Sequence, residues 1–200
     1  MGSAPSDAPV DASAPARTIP VKIVIAGGFG VGKTTLVGAV SEIAPLTTEA
    51  PLTAAGVDID DIGLVQGKTT TTVAMDFGRI TLGSDPILYL FGTPGQDRFV
   101  FLWDDLVQGA LGAVVVVDTG RIQDCYPVLD YFERRGTPFV VAVNCFDGVQ
   151  SHRLDSVRTA LDVKPHVPVM LCDARQRESV KAVLVGLVEH VITRRASSRP

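Results

Sequence analysis

Gly27-Gly28-Phe29-Gly30-Val31-Gly32-Lys33-Thr34 satisfies the pattern GxxxxGK(S/T). It stands between Val21-Lys22-Ile23-Val24-Ile25-Ala26, a short β-branched run that reads as a buried strand, and a stretch from Lys33 to about Ile43 that reads as a helix. Strand, glycine-rich turn and helix in that order give the pattern its meaning. Glycines let the backbone curl so that successive N–H groups face an anion, and the helix N-terminus adds unpaired N–H groups and the positive end of its dipole. The loop from Gly27 to Thr35 is therefore expected to hold the phosphates of a nucleotide. Lys33 would reach the β- and γ-phosphates, and the Thr34 hydroxyl would ligate Mg²⁺.

Outward from this loop, Thr72 to Leu82 and Ile87 to Phe91 read as strands joined by Gly83-Ser84-Asp85-Pro86, short enough for an antiparallel hairpin. Strands and helices then alternate: a helix over Arg98–Gln108, a strand over Ala113–Val117, a helix over Ile122–Arg135 and a strand over Phe139–Val143. The last pair is a strand over Val169–Cys172 and a helix over Lys181–Ile192. The expected fold is α/β, a P-loop NTPase with a mostly parallel six-stranded sheet, one antiparallel edge hairpin and helices on both faces. Ligands of such sheets sit at the carboxyl ends of the strands. The segment from Ala44 to Lys68 mixes prolines, glycines and acids without a clear period and is expected to be a long functional loop.

The 200 residues, 46% of them hydrophobic, suffice for one core. Residues 1–18 are mainly Ala, Pro, Ser and Asp and are expected to form a disordered leader, with the domain over 19–193 and a basic tail over 194–200. A net charge of −4 provides no global field for nucleic acid or anionic lipid, so phosphate must be captured locally. Three widely spaced cysteines, Cys125, Cys145 and Cys172, fit buried thiols in a reducing compartment. No run is long and apolar enough to span a bilayer, and a cytoplasmic location follows as the expectation. Met1-Gly2-Ser3-Ala4-Pro5-Ser6 fits the loose myristoylation pattern, which is equally common in disordered leaders.

Asn144-Cys145-Phe146-Asp147 follows the strand ending at Val143. A carboxylate there can accept hydrogen bonds from N1–H and the N2 amino group of guanine, neither of which adenine offers. The competing reading of Asp147 is an Asx-type turn closing the strand.

The ordered set GGFGVGKT, a Thr-rich loop, FGTPGQ, NCFD and CDAR resembles the five nucleotide motifs of Ras-like small GTPases over about Val21 to Thr193. The details TTVAMDFG and LYLFGTPGQ are most similar to bacterial Mgl-type GTPases, in the actinobacterial branch encoded beside Roadblock-domain partners. The resemblance implies that Thr72, or Thr71, senses the γ-phosphate and Mg²⁺, that Gly95 is the switch II glycine, and that Gln96 orients the attacking water. It also implies that Asn144 and Asp147 hold the base and that Ala174 offers a backbone N–H to its carbonyl; Arg175, counted with the nucleotide-binding residues, departs from the pattern by replacing a lysine.

Gly92 stands where most Ras-like proteins carry the Asp that holds Mg²⁺ through water; Asp76, in an otherwise apolar strand, is the nearest replacement, against the alternative of an outward-facing acid. Cys145 replaces the lysine that packs on the base. Thr71 stands where Mgl-type enzymes carry a catalytic arginine, while Arg79 and Arg98 have no evident aim. The expectation is a GTP/GDP switch with slow intrinsic hydrolysis and a Roadblock-domain partner. That partner would dock on Thr72–Leu82, the 44–68 loop and the helix from Arg98, with peripheral membrane attachment left open through a membrane partner. An ATP-binding or ATP-hydrolysing protein, or a nucleotide-dependent scaffold with negligible hydrolysis, are the alternatives.

Overall fold

The computed structural model describes residues 19–44, 46–51, 72–82, 86–95 and 97–197, with backbone alone at 46–51, 72–74, 97 and 98. Seven strands form one sheet in the order β2-β3-β4-β1-β5-β6-β7. They are β1 (Ile19–Ala26), β2 (Leu46–Pro51), β3 (Thr72–Thr81), β4 (Pro86–Gly92), β5 (Gly112–Val117), β6 (Phe139–Asn144) and β7 (Val169–Cys172). The helices are α1 (Lys33–Val40), α2 (Trp103–Val107), α3 (Tyr126–Arg135), α4 (Leu154–Leu161) and α5 (Arg177–Ser197).

The six expected strands are present with the expected antiparallel pairing of β3 and β4. A seventh, β2, pairs antiparallel with β3 and takes the sheet edge, so Leu46–Pro51 is not the irregular chain expected over 44–68; residues 52–68 lie outside the described ones. The Arg98–Gln108 stretch divides into a 3-10 segment, Asp97–Leu102, and the short α2. Helix α4 was not anticipated. The final helix runs to Ser197, so Arg194 and Arg195, expected in a basic tail, lie in its last turn, where cations complement the dipole.

Strands β5 and β6 are buried at every position, the signature of parallel strands covered on both faces. Alternation along β1 divides its side chains between two cores. Ile23 and Ile25 pack with Leu36 and Val37 of α1 and Leu184 and Leu187 of α5. Val24 and Ala26 pack on the other face with Trp103, Leu129, Phe132 and Leu161 from α2, α3 and α4. All three cysteines are buried free thiols, and burial raises Cys125 and Cys172 to about 11. Among the described residues no helix is long and apolar enough to cross a membrane.

β1 lies between β4 and β5, parallel to both, and its carboxyl end opens where the connections leave in opposite directions. Such a switch point is where ligands of open parallel sheets bind. The glycine-rich loop emerges there.

Candidate functional site: a phosphate loop with an adjoining cleft

Gly32 is the N-cap of α1 at φ +105°, a left-handed conformation that L side chains rarely adopt. A Cβ there would also fall 2.6 Å from Asn144 Nδ2. Both constraints require glycine, which lets the chain turn sharply from β1 into α1. No acidic residue occupies the first turn of α1, leaving its dipole end free to face an anion.

Lys33 is 8% exposed and curls back over the loop, its Nζ donating to the carbonyls of Gly27 at 2.8 Å and Gly28 at 2.6 Å. Burial brings its ammonium down from the usual 10.5 to about 8, against the opposing pull of the Asp76 carboxylate. The expected switch glycine lies against it, for a Cβ on Gly95 would fall 2.6 Å from Lys33 Nζ. Phosphate loop, Lys33 and Gly95 thus converge on one spot.

Thr34 Oγ1 donates to Asp76 Oδ2 at 2.7 Å. The partly buried Asp76 turns toward the phosphate loop, which excludes the outward-facing alternative. It occupies the space that a side chain on Gly92 would need, since a Cβ there would fall 2.9 Å from Asp76 Cβ. The carboxylate thus arrives from β3 instead of β4. A hydroxyl and a carboxylate oxygen are hard donors suited to Mg²⁺, which takes one or two protein oxygens and completes its shell with phosphates and water. Among the described residues no group of three or more His, Cys, Asp or Glu side chains could hold a metal, and such a Mg²⁺ site needs none.

Asn144 joins the two halves of the site. Its Nδ2 donates to the Val31 carbonyl at 2.9 Å, and its Oδ1 accepts from the Ala174 N–H at 3.2 Å. Both groups expected to touch the base, the Asn144 side chain and the Ala174 N–H, are engaged with each other. Beside them Gly32, Thr35, Asn144, Phe146, Asp147, Asp173, Ala174 and Arg175 line a cleft of about 200 Å³. Asp147 sits in a tight left-handed turn at φ +56°, its side chain 85% exposed. Arg175 Nη1 donates to Asp147 Oδ1 at 2.7 Å and its Nη2 to Asp173 Oδ2 at 3.1 Å. The guanidinium holds the Asp173 carboxyl below its usual range and is itself raised in return.

Arg79 is occupied elsewhere, 4.0 Å from Glu42, three positions along β3 from Asp76, or about 10 Å of extended strand. Thr71 and Gln96 lie outside the described residues, and only backbone is described at Thr72 and Arg98. Sequence reasoning missed Arg121, whose Nη2 donates to the Phe29 carbonyl at 2.8 Å. No motif marks it, because only the fold brings the turn after β5 to the phosphate loop.

The family model described as conserved hypothetical ATP-binding proteins matches residues 25–194. The uncharacterized protein MJ1339 of Methanocaldococcus jannaschii is 33% identical over 129 residues, covering 64% of this chain and 71% of that protein. The G domain of the T. maritima FeoB iron transporter superposes with a TM-score of 0.60 at 19% identity, over 86% of this chain and 98% of that one. The FeoB G domain from Methanococcus jannaschii gives 0.56 at 17% identity, over 87% and 99%. The cytosolic domain of T. maritima FeoB in a GDP form gives 0.62 at 18% identity, over 89% of this chain and 65% of that one. These likenesses bear on fold alone. With its phosphate loop at the switch point of a G-domain-like sheet, the chain belongs to the family of conserved hypothetical ATP-binding proteins.

Proposed function

We propose that this domain is a guanine-nucleotide switch with slow intrinsic hydrolysis. The observation that carries the reading is the cleft running from Gly32 and Thr35 to Asp147, which joins the phosphate loop to an acceptor-only carboxylate. Such a carboxylate matches the two donors on guanine's N1 and N2. Thr34 and Asp76 would hold Mg²⁺, which when bound neutralises charge on the β- and γ-phosphates. Lys33 would share that task, and Thr72, Gly95 and Gln96 retain the γ-phosphate-sensing and water-orienting roles that the small-GTPase resemblance implies. Slow hydrolysis is supported by Thr71 in the Mgl-type arginine position and by the pairing of Arg79 with Glu42. An arginine at the transferred phosphoryl is worth about 10³ to 10⁵ in rate where measured.

The nucleotide that copurifies, identified by chromatography after denaturation, tests the base. GDP or GTP is expected, and ATP or ADP alone would overturn guanine readout. The second reading, ATP binding, is favoured by the description of the matching family and by Cys145 in place of the base-packing lysine.

The output of the switch is a change in partner affinity. By its similarity to Mgl-type proteins, the partner is a small Roadblock-domain homodimer that holds Gln96 and Thr72 in the γ-phosphate-bound arrangement. Titration against samples loaded with GDP and with a non-hydrolysable GTP analogue tests this, with tighter binding expected for the analogue. By linkage the partner must then raise GTP affinity by the same factor. Equal affinities would remove the switch, and no binding in either state would remove this partner.

A further inference from the structure

Three carbonyls at the start of the phosphate loop, those of Gly27, Gly28 and Phe29, and the carbonyl of Val31 all accept hydrogen bonds from side chains. The first two face Lys33. Phe29 is held by Arg121 and Val31 by Asn144. In a trans peptide, C=O and the following N–H point in opposite directions, and the described chain contains no cis peptide. An anchor on the Phe29 carbonyl therefore turns the Gly30 N–H the other way, just as the anchor on Val31 turns the Gly32 N–H.

Arg121 is itself flanked by two carboxylates. It interrupts the 3-10 segment Thr119–Cys125 at φ −140° and ψ 53°. Asp118, at the carboxyl end of β5, accepts from Gly120 N at 2.8 Å and from Arg121 Nε at 3.5 Å, while Asp124 lies 3.9 Å from Arg121 Nη1. The two carboxylates offset the guanidinium charge, so the group orients the loop more than it adds a positive field. A Cβ on Gly30 would fall 3.3 Å from Arg121 Nη2, so the guanidinium lies directly against this peptide. Its hydrogen bond also polarises the peptide and strengthens the N–H on the far side as a donor.

We propose that Arg121 is a positioning residue that aims the Gly30 N–H into the phosphate cradle. It makes no contact with substrate in this role. The inference rests on the reading of Gly27–Thr35 as a phosphate site, and is independent of which base is bound.

The test uses the full chain loaded with Mg²⁺ and GDP, or ADP if the chain binds adenine instead, comparing wild type with Arg121→Ala and with Arg121→Met, which keeps an apolar stem and loses the donors. The Gly30 amide proton, read by ¹⁵N–¹H correlation, is expected far downfield in wild type and shifted upfield in both variants, while Gly32, anchored by Asn144, stays in place. Affinity for that nucleotide and the single-turnover rate should each fall by about tenfold, the low end of what outer supporting residues contribute. A merely structural loosening would shift all loop amides together, and that result overturns the proposal. So does an unmoved Gly30 amide with that affinity within threefold. The methionine variant decides if the alanine variant does not fold. Failure of the wild type to bind GDP, GTP or ATP would instead overturn the phosphate-site reading itself.

Discussion

Thr34 Oγ1 and Asp76 Oδ2 meet at 2.7 Å, joining the first turn of α1 to the middle of β3. Asp76 and a side chain at 92 compete for one volume. Gly92→Asp alone should therefore destabilise by at least about 1–3 kcal/mol through overpacking and repulsion between like charges. Asp76→Ala alone should fold and lose most of the Mg²⁺ enhancement of GDP affinity. Combining the two makes room for the new carboxylate, so the double variant should melt above Gly92→Asp and recover part of the enhancement. Additive losses in the thermal and binding cycles would show that the two positions do not share a site.

Lys33→Ala removes a buried ammonium whose present partners are backbone carbonyls. Nucleotide affinity should drop by about two orders of magnitude, the scale of a charge-assisted contact to phosphate. Circular dichroism should remain that of the wild type, because the side chain is not part of either apolar core. Affinity retained within threefold in equilibrium titration would contradict the assignment of the loop.

Asp147→Asn exchanges an acceptor-only group for one that also donates. GTP should weaken at least about tenfold more than ATP, since hydrogen bonds to a charged group contribute about 1.5–3 kcal/mol. Competition between the two nucleotides measures this. Equal weakening would mean that Asp147 serves the ion pair with Arg175 and does not read the base.

Glu42 receives hydrogen bonds from Thr81 N at 2.9 Å and Thr81 Oγ1 at 3.0 Å, which hold its carboxyl below the usual 4.5, with Arg79 adding to the effect. A depressed carboxyl contributes stability above its ordinary value and loses it as pH falls through the folded-state value. Wild type should therefore exceed Glu42→Gln in denaturant midpoint at pH 7, and the gap should close below about pH 4.5, where the unfolded carboxyl begins to take up its proton. A gap that stays the same size at every pH down to acid unfolding would assign the difference to packing.

The loop from Gly27 to Thr34 was legible because its chemistry is local, with strand, turn and helix contiguous. So were β5 and β6, whose unbroken apolar runs admit little else. Strand β2 was not, since Leu46-Thr47-Thr48-Glu49-Ala50-Pro51 has no clear alternation and its ladder is supplied by β3. In α4, Leu154, Val157 and Leu161 do recur at helical spacing, a readable but short signal. The direction of Asp76 depended on the face that β3 turns to α1, which pairing with β4 decides. Arg121 and the double engagement of Asn144 arise from contacts between distant segments, beyond the reach of any window along the chain.

Asn144 ties the Val31 carbonyl to the Ala174 amide through one side chain. Order in the loop after β1 and order in the turn after β7 are therefore coupled through one side chain. Hydrogen exchange at Ala174, in the turn after β7, becomes a gauge of order in the loop after β1. Filling the phosphate loop alone, with pyrophosphate for instance, should slow exchange at Ala174.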